Sequence, residues 1–219
     1  MKNTKKPSSE YKKHIEYYKS MHEKGFIREN EVVSKDQAYD GKSTKPFVNI
    51  IKKIIELNEC KSLLDYGCGK AKYYFNEFKT NKAKYSSLKE YWKVEVNLYD
   101  PCYKPYNKLI NKKVDISICI DVLEHIPKQD ISWVLKEFFS LTKKIVFLNV
   151  ACYEAKAILP DGKNAHINVQ SYSWWEKNLK NCSSSFPGLK IIAFCDFLTK
   201  DGKKIYKCIE INDTFNNYV

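Results

Sequence analysis

The junction where Ser62-Leu63-Leu64-Asp65-Tyr66 runs into Gly67-Cys68-Gly69 constrains this chain more than any other feature. A short apolar strand that stops on two closely spaced glycines turns sharply at its C-terminal end. The missing side chains also let a ligand approach the backbone. A lone Gly-x-Gly is a weak signal. It gains weight because the next strand, Val94 to Tyr99, ends at Asp100-Pro101. A carboxylate at that point can accept two hydrogen bonds from ribose hydroxyls. The nicotinamide fingerprint Gly-x-Gly-x-x-Gly is not completed, because Lys72 stands where its third glycine would be.

Around this junction the apolar periodicity alternates between helix and strand. Tyr11, Ile15, Tyr18, Met21 and His22 recur at helical spacing from Ser8 to about Lys24, and Gly25 stops the helix. Phe26 to Thr44 has no clear period and reads as a loop or lid. Pro46 opens a second helix whose apolar face is Phe47, Ile50, Ile51, Ile54, Ile55 and Leu57. Val114 to Ile120 and Lys144 to Val150 read as strands, with a helix from Ile131 to Ser140 between them. Leu189–Leu198 and Lys204–Ile211 flank Lys200-Asp201-Gly202-Lys203 as a hairpin. The expected fold class is α/β: a Rossmann-like, mostly parallel sheet with helices on both faces. The closing hairpin adds antiparallel strands at one edge. Residues 1–44 form an N-terminal helix and lid segment, and 45–219 the main domain.

Leu63 to Tyr74, Asn97 to Pro101 and Val114 to Pro127 resemble the motifs of class I S-adenosylmethionine-dependent methyltransferases. Asp121-Val122-Leu123-Glu124-His125-Ile126-Pro127 is similar to the branch that includes ubiquinone-biosynthesis O-methyltransferases. The resemblance spans roughly residues 45 to 215 and is specific only in the central third. It implies cofactor contacts from Asp65, Gly67, Cys68, Gly69, Asp100 and Asp121. Ala71 replaces the third glycine of the family's loop. Only Cys102 to Lys113 separates Asp100 from the next strand, so the third strand of the family should be reduced or missing. The adenine is then exposed, or covered by residues from elsewhere such as the N-terminal lid.

Asp121, Glu124 and His125 fall at i, i+3 and i+4. A helical turn starting after Ile120 would project all three from one face at the C-terminal edge of the sheet. With a pKa near neutrality, His125 can take a proton from an acceptor hydroxyl. His166 lies in the loop after the following strand and is expected to converge on the same pocket. Two carboxylates and two histidines also suit a divalent metal, and the small-RNA 2′-O-methyltransferases resemble that arrangement. Tyr18 and His22 from the first helix, and Trp174, are candidate substrate contacts. For each of these three the core reading competes.

The leading expectation is methyl transfer from S-adenosylmethionine to an oxygen, less favourably a nitrogen, of a small-molecule acceptor. The alternatives are an RNA methyltransferase with a metal-assisted site and a non-catalytic cofactor-binding protein. The net charge of +12 admits a nucleic-acid partner. Against that, the charge is almost all lysine, with Arg28 the one arginine, and the lysines are scattered rather than clustered. None of the eight cysteines forms a CxxC pair, which argues against a zinc knuckle. No apolar run is long enough to span a membrane, and Met1 to Glu10 lacks the apolar stretch of a secretory signal. The expectation is a cytoplasmic protein with reduced thiols. The sequence is silent on oligomeric state.

Overall fold

The computed structural model describes residues 7–79 and 83–218. The lysine-rich stretch 1–6, part of the segment read above as unlike a secretory signal, lies outside the described residues. The chain opens with α1 (Ser9–Lys24), followed by β1 (Phe26–Arg28) and β2 (Glu31–Val33). A 3-10 segment, Lys42–Phe47, leads into α2 (Val48–Leu57) and then β3 (Ser62–Tyr66). A small ribbon, β4 (Phe78–Lys79) and β5 (Lys84–Tyr85), precedes α3 (Leu88–Trp92) and β6 (Glu95–Tyr99). There follow β7 (Val114–Ile120), α4 (Ile131–Ser140), β8 (Thr142–Ala151), β9 (Ala157–Ile158) and α5 (Tyr172–Ser183). The hairpin of β10 (Lys190–Leu198) and β11 (Lys204–Ile211) closes the sheet.

Six strands form the main sheet in the order β11-β10-β8-β7-β3-β6. All neighbours are parallel except β10 and β11. The arrangement is Rossmann-like. One detail corrects the sequence reading: only β11 runs against the rest, because β10 pairs in parallel with β8.

Strand alternation decides which helices cover which face. Ile116, Ile118 and Ile120 of β7 and Phe147 of β8 pack with Ile51 and Ile54 of α2 and Trp92 of α3. Their neighbours Cys119, Val146, Leu148 and Val150 point the other way, onto Val134, Leu135 and Phe138 of α4 and Trp175 and Leu179 of α5. Residues i and i+2 share a face of a strand, so both faces are apolar and both need helices. Between β6 and β7 the chain makes only a 3-10 turn, Lys104–Tyr106, and β6 becomes the edge of the sheet.

The segment read as a loop or lid, Phe26 to Thr44, carries a hairpin, which corrects the loop half of that reading. β1 pairs with β2 on one side and with β9 on the other, in register Ile27↔Ile158. This third partner comes from the loop after β8 and ties the N-terminal segment to the rest of the chain.

Asp130 anchors α1. One carboxylate oxygen accepts from the Ser8 amide at 3.0 Å and from Trp133 Nε1 at 2.7 Å. The other accepts from the Ser8 hydroxyl at 2.5 Å, while that hydroxyl caps the helix by accepting from the Tyr11 amide at 3.0 Å. Tyr11 then packs edge-on against Trp133 at 5.0 Å. Removing a buried acceptor strands its donors, so Asp130→Ala is expected to cost about 2–3 kcal/mol. Urea unfolding measures the loss, and limited proteolysis should cut first in α1.

Candidate active site

The C-terminal ends of β3, β6 and β7 open into one cavity beneath α1, with a volume of about 980 Å³ counted to its open mouth. Its floor is the glycine turn. Gly67 and Gly69 both have positive φ, 89° and 57°. A Cβ on Gly67 would fall 2.4 Å from Val122 Cγ2, and one on Gly69 would fall 2.3 Å from the carbonyl oxygen of Tyr39. Chain packing therefore demands these glycines before any ligand does. Ala71, in place of the third glycine, keeps the left-handed conformation at φ 51° with its methyl group buried.

The amides of this turn are spent inside the protein. Those of Gly67 and Cys68 donate to the Tyr99 carbonyl at 2.7 and 3.1 Å. That of Gly69 donates to Asp100 Oδ2 at 2.9 Å, and Cys102 N donates to Asp100 Oδ1 at 2.8 Å. The turn thus presents no row of free donors to a phosphate.

The charged groups lining the cavity are carboxylates: Asp65, Asp100 and Asp121, with no lysine or arginine among the lining residues. In a chain of net charge +12 this is a local inversion. Asp65 is buried at the cavity floor, and burial lifts its carboxyl to about 7, although the Tyr74 hydroxyl donates to it at 2.8 Å. Burial also lifts Asp100, to about 6, against the amide bonds that stabilise its charge. The site suits a ligand bearing positive charge and hydroxyl donors better than an anionic one.

α1 forms the roof. His22 stacks on Tyr103 at 5.2 Å, and its Nε2 lies 3.9 Å from Asp100 Oδ2. Burial depresses its pKa to about 4, helped by the charge of Lys70, and its Nδ1 has no hydrogen-bond partner. Tyr18 reaches the opposite end of the cavity. Its hydroxyl lies 2.7 Å from His125 Nδ1 and donates to the Ala165 carbonyl at 3.2 Å.

The structure brings His125 and His166 together, with ring centroids 4.8 Å apart. His125 Nδ1 lies 2.9 Å from the Ala165 carbonyl, and His166 Nδ1 lies 2.6 Å from the Tyr153 carbonyl. A carbonyl only accepts, so both Nδ1 atoms carry the proton and both Nε2 atoms keep a lone pair. Burial holds both imidazoles neutral, His125 at about 4 with His166 adding to the depression. Asp121 completes the group: one ligand atom from each of Asp121, His125 and His166 lies within 4.8 Å of the others. Desolvation by the surrounding cavity would raise Asp121, whose side chain is exposed at the cavity wall, but His125 and the Ser43 hydroxyl, which donates at 2.7 Å, hold it below the usual range.

Two expectations are corrected here. Asp121, Glu124 and His125 do not share a helical face. Asp121 adopts a left-handed conformation at φ 61°, and only Leu123–His125 forms a 3-10 turn. Glu124 turns inward, where its Oε1 accepts from the Ala151 amide at 2.7 Å. Burial, with Asp121 nearby, pushes its carboxyl well above the usual range, and its Oε2 has no partner. Glu124 stands outside the three-residue group. Trp174 does not line the cavity. It sits on α5, edge-on to the buried Trp175 at 4.8 Å, with Lys128 Nζ 5.6 Å from its ring.

Tyr39, Ser43 and Tyr74 were not foreseen as site residues. Tyr39 closes over the glycine turn through its backbone, and Lys70 N donates to its carbonyl at 2.7 Å.

The fold and the site together define a Rossmann-like α/β protein with a carboxylate-lined cavity beside a carboxylate and two histidines. No protein-family model matches the chain, and no curated protein matches it. Among the described residues, no helix is long and apolar enough to cross a membrane.

Proposed function

We propose that the protein transfers a methyl group from S-adenosylmethionine to a hydroxyl oxygen of a small-molecule acceptor, as a class I methyltransferase. The observation that carries this reading is the cavity lined by Asp65, Asp100 and Asp121 without a lysine or arginine. When bound, S-adenosylmethionine supplies a methyl group on a cationic sulfur, whose C–S bond breaks as the new C–O bond forms, leaving a neutral thioether. Asp100 accepts the ribose hydroxyls at the end of β6, and Asp65 offers negative charge to the amino-acid end. α1, through Tyr18 and His22, acts as the lid that shields the reacting atoms from water. His125 Nε2 takes the acceptor's hydroxyl proton, while the Ala165 carbonyl keeps the ring in the tautomer that leaves that lone pair free.

Asp121, His125 and His166 also fit a divalent ion of the Mn²⁺, Fe²⁺ or Zn²⁺ kind, given two nitrogen donors and one carboxylate. Both imidazoles are pinned by carbonyls, the usual arrangement behind metal-bound histidine. Direct bonds of about 2 Å require the three ligand atoms to draw together by up to about 1.5 Å. Such an ion would lower the pKa of the acceptor hydroxyl. The cofactor cavity's carboxylate walls favour a small acceptor over the phosphate-rich backbone of RNA. An RNA acceptor would show itself as a steep loss of binding with salt.

Calorimetry with S-adenosylmethionine tests the reading, and absence of heat with the folded protein would refute it. Asp100→Ala is expected to weaken binding by about 1.5–3 kcal/mol. A pH series adds a sign. Folded Asp65 and Asp100 hold protons that unfolded carboxylates have already lost. Their contribution to the stability of the empty protein is therefore present at acid pH and lost as pH rises through about 6 and then about 7. The cofactor needs them ionised, so its affinity should rise over the same window.

A further inference from the structure

Beyond Asp121, on the side away from the glycine turn, lies a second cavity of about 370 Å³ counted to its mouth. Asp121 and Ser43 line both cavities, and this hydrogen-bonded pair forms the wall between them. The second is polar at its base and aromatic at its sides. Asn149 and Asp196, each about nineteen-twentieths buried, stand at the C-terminal ends of β8 and β10. Asn149 Nδ2 donates to Asp196 Oδ1 at 2.7 Å. Asp196 Oδ2 faces Lys204 Nζ at 3.8 Å, beyond a hydrogen bond, and keeps its capacity to accept. Phe47 and Tyr206 form the apolar walls, edge to face at 6.5 Å.

The position of this cavity matches its contents. Lys204 Nζ lies 5.3 Å from the Tyr153 ring, and the Tyr153 carbonyl orients His166. A molecule seated here has one end at Asp121, which has a ligand atom within 4.8 Å of one on each of His125 and His166, and the other at Asp196. A buried carboxylate with an open oxygen recognises paired hydroxyl donors, a nearby ammonium donates to ring or hydroxyl oxygens, and aromatic walls accept the C–H faces of a saturated ring. Lys204 balances the charge of Asp196 and makes the base of the cavity unfavourable for an amine.

We propose that this cavity is the acceptor subsite and that it takes a saturated ring carrying vicinal hydroxyls, a pyranose or a cyclitol, with one hydroxyl presented to Asp121, His125 and His166. The inference rests on the methyl-transfer reading for the fate of that hydroxyl, but not for the binding itself. The test is saturation-transfer NMR with methyl β-D-glucopyranoside, myo-inositol and 2-phenylethylamine as probes, on the protein with and without S-adenosylhomocysteine. Both hydroxylated probes should receive saturation. The signal should fall at least about fivefold in Asp196→Asn, the effect of one ordinary hydrogen bond. Tyr206→Ala, on an edge strand and half exposed, tests the same wall with little risk to folding. Transfer to the amine alone, transfer to no probe, or hydroxylated-probe signals unchanged in both variants would overturn the subsite. Failure to bind S-adenosylhomocysteine, with ring binding intact, would instead overturn the methyl-transfer reading and leave the subsite standing.

Discussion

Replacing His125 by glutamine is expected to slow methyl transfer by roughly 10²–10⁴-fold, the usual contribution of a positioned acid–base group. Cofactor affinity should fall by no more than about fivefold, because one lost hydrogen bond is the most that His125 could contribute. Glutamine keeps hydrogen-bonding capacity toward Tyr18 and the Ala165 carbonyl, so the roof stays docked while the basic nitrogen is lost. His166→Ala separates two forms of the mechanism. If Asp121, His125 and His166 hold a divalent ion, removing His166 or treating the protein with a chelator abolishes turnover, and added Mn²⁺ or Zn²⁺ restores only the chelated wild type. If His125 acts alone, chelation changes nothing and His166→Ala costs far less than His125→Gln. Elemental analysis of the purified protein reads the same question without an acceptor.

The axis of the site was legible because its determinants are local. A strand, a glycine turn and an acid one strand later each need only a few consecutive residues, and the structure places Gly67, Gly69 and Asp100 at one cavity. The edge position of β6 followed from the length of a single connection. What stayed hidden depends on long-range pairing. The third strand of the small sheet joins Ile27 to Ile158, and neither segment is periodic enough to announce itself. Tyr39 and Ser43 act through contacts with Gly69 and Asp121 that no spacing rule encodes. The i, i+3, i+4 pattern misled for a backbone reason. The left-handed Asp121 breaks helical register before the turn starts, so Glu124 points at the Ala151 amide instead of joining the two histidines. Trp174 was misplaced because α5 buries only one of its adjacent tryptophans, and the buried one is Trp175.

Gly69→Ala is expected to do more damage to the folded protein than any surface substitution, and it does so through Tyr39. The new methyl carbon would sit 2.3 Å from the Tyr39 carbonyl oxygen and 3.1 Å from its carbonyl carbon. Backbone cannot rotate away as a side-chain tip can, so the Tyr39–Gly41 segment must lift. Lifting it breaks the bonds from Lys70 N to Tyr39 O and from Lys72 N to Asp40 O. It also removes the Tyr39 ring from its contacts with Tyr18, His22 and Phe26. Two hydrogen bonds and a partly buried aromatic contact together predict a loss of about 2–4 kcal/mol in urea unfolding. The left-handed conformation at φ 57° adds a further backbone strain of about 1–2 kcal/mol, a cost that Ala71 already bears nearby at φ 51°. Cofactor binding should fall with stability, since the same movement uncovers the cavity floor. Gly202→Ala is the control. Its φ of 77° is also positive, but nothing lies within 4 Å of its added carbon. It should therefore cost only the backbone strain of about 1–2 kcal/mol and leave cofactor binding unchanged. Equal losses in the two variants would mean that the Tyr39 segment already moves freely, and that α1 and its following loop do not close the site.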